Sequence, residues 1–168
     1  MRAYLFLCLS GLLLLSGCAN YRLGTGGTVS FRTLYVAPVV NESNLPQAVA
    51  IVSTQLREAF LHDPRIILVN TAGEADATLT VTLVNYTRDV QTRQTADTGL
   101  ARKFDIALNA EATLRDNRDG KLLFEKRKVQ AVRQVFVDSG QLQAEYQNVP
   151  LLAEVLAKNV LAATLDVW

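Results

Sequence analysis

Residues 78–86 read Thr78-Leu79-Thr80-Val81-Thr82-Leu83-Val84-Asn85-Tyr86. Leu79, Val81 and Leu83 fall on one side of an extended chain, and Thr78, Thr80 and Thr82 on the other. A period of two is the pattern of a strand with one buried and one wetted face. Phe104, Ile106, Leu108, Ala110, Ala112 and Leu114 repeat it. A third run follows Asp119-Gly120, a strong hairpin signal. In that run Leu122 and Phe124 share one parity while Val129, Ala131 and Val135 share the other, which predicts a bulge or bend near Lys126-Arg127-Lys128. The three strands, over residues 76–90, 102–115 and 121–136, would each run to about 45–50 Å at 3.3 Å per residue. Most strands have only five or six residues.

The flanking segments supply helices to cover this sheet. Thr33 to Ala37 is a short β-rich run that stops at Pro38. Asn44 is a plausible N-cap and Pro46 suits a first helical turn. From Gln47 to Leu61 apolar residues recur at Ala48, Ile51, Val52, Leu56, Ala59 and Phe60, one face of an amphipathic helix about 23 Å long. His62-Asp63-Pro64 ends it, and Ile66-Ile67-Leu68-Val69 is a second short strand. At the far end of the sequence Pro150 opens a second helix with Leu152, Val155, Leu156, Val160 and Ala163 on its apolar face, and a shorter helix around Gln141–Tyr146 precedes it. The expected fold is α+β: a two-layer sandwich with two main helices packed on one face of a roughly four-stranded mixed sheet. A helix of about 23 Å covers only half of the long strands, so their ends are expected to extend beyond the packed core.

The N-terminus sets the address. Met1-Arg2, the apolar run from Ala3 to Leu15 and the small residues before Cys18 make a secretory signal, too short to cross a bilayer, which takes about 20 apolar residues. Leu15-Ser16-Gly17-Cys18 resembles the bacterial lipobox, in which the signal peptidase recognises the three residues before the cysteine and the thiol carries a diacylglycerol. The expected organisation is a signal peptide over 1–17, a lipidated Gly-, Ser- and Thr-rich tether over 18–32 and one domain over 33–168. Ala19 rather than Asp follows the cysteine, which by the lipoprotein sorting rule favours the outer membrane, facing the periplasm. Cleavage removes 17 of the 168 residues and leaves 151, enough for one domain. Cys8 leaves with the signal, so no intrachain disulfide is possible. Arg2 leaves too, and 17 basic residues become 16 against 16 acidic ones. A neutral chain is a poor nucleic-acid binder.

No catalytic constellation emerges. Asp97-Thr98-Gly99 has the tripeptide of an aspartic protease but lacks the hydrophobic strand that leads into such a site. His62 is the only histidine, so a zinc site is not expected, and there is no Gly-x-Ser-x-Gly elbow. Gly24-x-Gly26-Gly27 lacks the strand and helix that a phosphate loop needs. No cofactor is expected beyond the lipid on Cys18. The remaining chemistry is cationic. Arg88, Arg93, Arg102 and Lys103 flank the first hairpin connection, and Arg118 and Lys121 lie at the second, beside Arg115, Lys126, Arg127 and Lys128. These residues either guard a solvated sheet edge or present guanidinium forks to a phosphorylated ligand.

The whole order of elements, with Leu34-Tyr35-Val36-Ala37-Pro38-Val39-Val40-Asn41-Glu42-Ser43, Gln55-Leu56-Arg57-Glu58-Ala59-Phe60, Ala75-Asp76-Ala77-Thr78-Leu79 and Tyr146-Gln147-Asn148-Val149-Pro150-Leu151-Leu152, resembles the LptE family of lipopolysaccharide-assembly lipoproteins. That resemblance implies a non-enzymatic outer-membrane protein that sits in an LptD-like β-barrel as plug and folding partner and engages lipopolysaccharide. Arg88, Arg93, Arg102, Lys103, Arg118 and Lys121 are then the candidate lipopolysaccharide contacts. The strand-helix-strand opening also resembles the periplasmic lipoproteins that activate peptidoglycan synthases, which is the alternative reading.

Overall fold

The computed structural model describes residues 29–92, 103–136 and 141–166. Leu15, Ser16, Gly17, Cys18, Arg93, Arg102 and Asp97-Thr98-Gly99 lie outside them. The elements run β1 (Thr33–Val36), β2 (Val40–Asn41), α1 (Ala48–Leu61), β3 (Ile67–Leu68), a 3-10 turn (Ala72–Glu74), β4 (Ala77–Thr92), β5 (Lys103–Asp116), β6 (Leu122–Phe136) and α2 (Gln141–Leu165). The sheet is mixed and has six strands, in the order β3-β1-β4-β5-β6, with β2 beside β4. β1 runs parallel to both β3 and β4, and β4, β5 and β6 form an antiparallel meander. The fold class is as expected. The strand count rises from about four to six: the short strand expected at Ile66–Val69 is present as β3, and β2, of two residues, gave no sequence signal.

Alternation decides which face is covered. Leu79, Val81 and Leu83 of β4 and Phe104, Ile106, Leu108, Ala110, Ala112 and Leu114 of β5 are at most 2% exposed. They meet α1 through Ala48, Val52, Leu56 and Phe60 and α2 through Leu152, Leu156 and Val160. At about 2 kcal/mol per fully buried large apolar side chain, this single face supplies most of the driving force. The other face is open and carries Thr80, Thr82, Asn109, Glu111, Lys128 and Gln130, with Val84 and Val132 exposed among them.

Four expectations need correction. Asn44 does not cap α1; the cap position is Gln47, with no side-chain bond. Asn41 shapes the approach instead, its Oδ1 accepting from the Ser43 N–H at 3.0 Å. Pro150 does not open the last helix but lies inside α2, which is continuous over 25 residues. Proline withholds the N–H that would reach the Tyr146 carbonyl; both residues sit on the exposed side, where solvent can satisfy a carbonyl left without its helical donor. The longer helix also changes the covering of the sheet. At about 37 Å it follows β6 and β5, and Phe104 and Val135 are both 1% exposed, so the far ends of those strands belong to the core. Finally, Leu122 and Phe124 face opposite ways: Phe124 pairs with inward Leu114, and Leu122 with outward Arg115, across a second register shift.

The bulge predicted near Lys126 is present. Lys126 has φ 46°, the only non-glycine residue with positive φ among those described, and its N–H reaches Thr113 Oγ1 at 3.1 Å. An L side chain in that left-handed region costs about 1–2 kcal/mol. Lys126→Gly is therefore expected to be more stable than Lys126→Ala by about 1 kcal/mol, the reverse of the order at an ordinary strand position. Thermal unfolding of the two variants checks this.

Candidate functional site

The two ends of the sheet differ in what their charges do. At the entry end, where the chain arrives at Val29, Asp76 Oδ2 accepts from the N–H groups of Arg32 at 2.8 Å and Thr33 at 2.9 Å. Thr33 Oγ1 accepts the Asp76 N–H at 2.8 Å in return. Asn117 donates through Nδ2 to the carbonyls of Ala72 and Ala75. Arg118 holds the Asp116 carboxylate through Nε at 3.0 Å and Nη2, and its Nη2 also donates to the Ser30 carbonyl at 3.0 Å. A second knot ties the helices: Arg65 bonds Asp63 at 2.8 Å, at the end of α1, and Asp166 at 3.0 Å, just after α2. Arg127 stacks 4.1 Å from the Phe124 ring centroid and donates to the Ala163 carbonyl, one of the last-turn acceptors that a helix leaves unsatisfied.

One of the expected cations is thereby assigned to structure. Arg118 closes the β5–β6 turn and fastens the chain ahead of β1. The Lys121 N–H is bound by Asp119 Oδ1 at 2.9 Å, in a turn whose Gly120 has φ 71°, and Arg115 Nη1 donates to the Gly120 carbonyl at 2.9 Å. Arg88 and Lys103 lie at the other end of the meander. Lys103 to Arg115 spans 12 steps of β5, roughly 40 Å. Those two do not converge either. Arg88 pairs with inward Ile106 and stands 5.9 Å from the Phe104 ring centroid; Lys103 pairs with Phe136 on the open face. The four candidates among the described residues thus form no single site. Local sequence could not separate them, because Arg118 reaches back 88 residues to Ser30.

The open face has a shape of its own. A register shift between Leu83 and Asn85 bends β4 beside an open depression of about 500 Å³ lined by Val84, Asn85, Asn109, Glu111, Lys128 and Gln130. Asn109 Nδ2 donates to Asn85 Oδ1 across it at 2.6 Å. Its amides and the cross-strand neighbours Glu111 and Lys128 suit contact with a polar surface. Among the described residues no three His, Cys, Asp or Glu side chains group to hold a metal. His62 Nδ1 lies 2.7 Å from the Glu58 carbonyl, where it finishes α1.

A family model described as LptE, lipopolysaccharide-assembly, matches residues 31–164. No curated protein matches the sequence. Among solved structures, an uncharacterized lipoprotein B from Nitrosomonas europaea has 17% identity and a TM-score of 0.53, covering 87% of this chain and 88% of its own. A protein from Xanthomonas campestris has 15% identity and a TM-score of 0.57, with coverages of 82% and 85%. A hypothetical protein from Chlamydia trachomatis has 12% identity and a TM-score of 0.53, with coverages of 79% and 94%. These likenesses concern the fold.

The entry-end carboxylates give the protein an acid limit. The Arg118 side chain, then its N–H, holds Asp116 down to about 2, and the N–H groups of Thr33 and Arg32 hold Asp76 below its ordinary range. A carboxyl whose folded pKa is depressed stabilises the fold fully above its unfolded value of 3.8 and loses that contribution as pH falls through the folded value. Stability is expected to decline between about pH 4 and pH 2, and Asp116→Asn to flatten the slope while lowering stability at neutral pH. Denaturant unfolding across that range checks both.

Proposed function

We propose, because the chain belongs to the LptE lipopolysaccharide-assembly family, that it acts as a lipid-anchored outer-membrane partner of an LptD-like β-barrel, as its plug and folding partner and as a contact for lipopolysaccharide. The observation that carries this reading is the extent of the match: residues 31–164 run from the residue before the clasp on β1 to the last turn of α2, so the whole packed unit corresponds to the family. The reading is also supported by what the domain offers a partner. One sheet face is open, with amide and charged side chains along it. The same match favours lipopolysaccharide assembly over activation of a peptidoglycan synthase.

The lipid on Cys18 places the domain. Val29 is 11 residues beyond Cys18, a reach of at most about 40 Å, so the entry end stays near the bilayer. A doubly or triply acylated cysteine is held firmly where a single chain binds only marginally. Arg88, Arg93, Arg102, Lys103 and Lys121 are the candidates for lipopolysaccharide phosphate, while Arg118 is committed to Asp116 and the Ser30 carbonyl.

Affinity purification of the lipidated protein from membranes, followed by mass spectrometry, tests the partnership. An outer-membrane barrel is expected in near-stoichiometric amount. Recovery of an inner-membrane synthase without a barrel would instead support the activator reading. Cys18→Ala is expected to accumulate as the unprocessed precursor without palmitate label. Label persisting in that variant would show that Cys18 is not the acylation site.

A further inference from the structure

β6 is the last strand of the sheet, and the two halves of its outer edge are built differently. The first half contains both register shifts, the left-handed Lys126 and the charged run Glu125-Lys126-Arg127-Lys128. Bulges and edge charges are the devices that stop a strand accepting another. The second half has no bulge. From Val129 opposite Ala110 to Phe136 opposite Lys103, β6 pairs with β5 residue for residue, an unbroken edge of about 26 Å. One bond sets the direction of its free groups: Asn159 Nδ2, from α2, donates to the Gln130 carbonyl at 2.8 Å. Gln130 therefore faces away from β5, and by alternation so do the main-chain groups of Val132, Gln134 and Phe136. Val132 and Phe136 are also 51% and 60% exposed. On the other side of the sheet β3 has two residues, and β4 continues past its last pairing with β2 at Leu83 as a second edge, bent by the register shift there.

Beyond the Gln130 carbonyl, which Asn159 holds, this edge turns main-chain N–H and C=O groups outward, and such a row recognises an extended polypeptide. A second copy fits poorly. α2 rests on β6 and reaches its edge at Asn159. Antiparallel pairing about a two-fold axis normal to the sheet sets the two β6 strands about 4.8 Å apart. The two α2 helices would then lie over adjacent strands, although packed helices need about 8–10 Å. The occupant is thus a strand with no helix behind it on that side. Charge narrows it further. Residues 125–136 carry Lys126, Arg127, Lys128 and Arg133 against Glu125, and Glu154 of α2 acts on Arg133. On β5, Asp105 and Glu111 offset part of this, and Lys103 adds to it.

We propose that the Val129–Phe136 edge of β6 accepts an extended, acidic polypeptide segment as an added strand, with its alternate apolar side chains beside Val132 and Phe136. This does not rest on the barrel partnership. The probe is a synthetic ten-residue peptide that alternates valine with threonine and glutamate, added to the full-length lipidated protein in detergent. Residue-resolved amide exchange is expected to slow at Val132 and Gln134 at least ten-fold at saturation, and a lysine-for-glutamate peptide to bind at least ten-fold more weakly. Gln134→Pro removes an edge-facing N–H that β5 does not use, so it should abolish peptide binding and leave the thermal midpoint unchanged; Val132→Pro serves in the same way should that variant fail to fold. Three results would overturn the proposal: unchanged exchange at these amides, equal binding to the proline variants, or self-association of the protein through this edge.

Discussion

Phe104, Ile106, Leu108, Ala110, Ala112 and Leu114 all project from one side of β5, and the rest of the molecule is arranged to keep water from them. β5 is the middle strand of the meander, so its neighbours are fixed by hydrogen bonds on both sides. Only the face above it remains to be closed. A buried strand of 14 residues is about 46 Å long, and a helix of ordinary length covers less than half of that. α2 meets the requirement by running for 25 residues through Pro150. The cost of proline inside a helix, about 3 kcal/mol in a buried interior, is reduced because residue 150 and the carbonyl it abandons face solvent. Tyr146–Leu165 is long and apolar enough to cross a membrane by composition alone, yet here it lies on α1 and the sheet. Its apolar character is accounted for by this packing.

The polar knots at the entry end answer a second demand. β1 has four residues and β3 two, too few main-chain bonds to hold parallel strands in register. Asp76 adds two charge-assisted bonds to the start of β1, and Asp116 with Arg118 adds a link to Ser30. Arg65 joins the ends of both helices to the same region. These pairs are partly exposed and individually weak. Their effect lies in register: each connects segments that are distant in sequence.

What was legible in the sequence follows the same division. The long strands, the Asp119-Gly120 turn, the bulge near Lys126 and the buried face of α1 all announce themselves through local periodicity or turn chemistry, and each is found. Pro150 misled because a local rule, proline at a first turn, competed with a tertiary need for a long cover. The candidate site was the least legible. Arg118 and Lys103 look alike in sequence, and only the fold shows that one is bound to Asp116 while the other stands some 40 Å away along β5. Asp76 gave no signal at all, since its partners lie more than forty residues earlier.

A net charge of only +1 therefore conceals a segregation. At the entry end acids and bases neutralise each other pairwise, through Arg65 with Asp63 and Asp166, and through Arg118 with Asp116. Along β6 two arginines bind neutral oxygens instead: Arg127 the Ala163 carbonyl and Arg133 the Asn148 side chain. A hydrogen bond to a neutral acceptor orients a guanidinium without pairing it to a carboxylate; both arginines stand on the side that α2 covers, where Glu154 acts on Arg133. Recognition by such a surface depends on the distribution of charge along a strand edge more than on any one side chain. A chain that works this way can change most of its residues and keep its task, provided the alternation that buries β5 and the sign of the edge are kept.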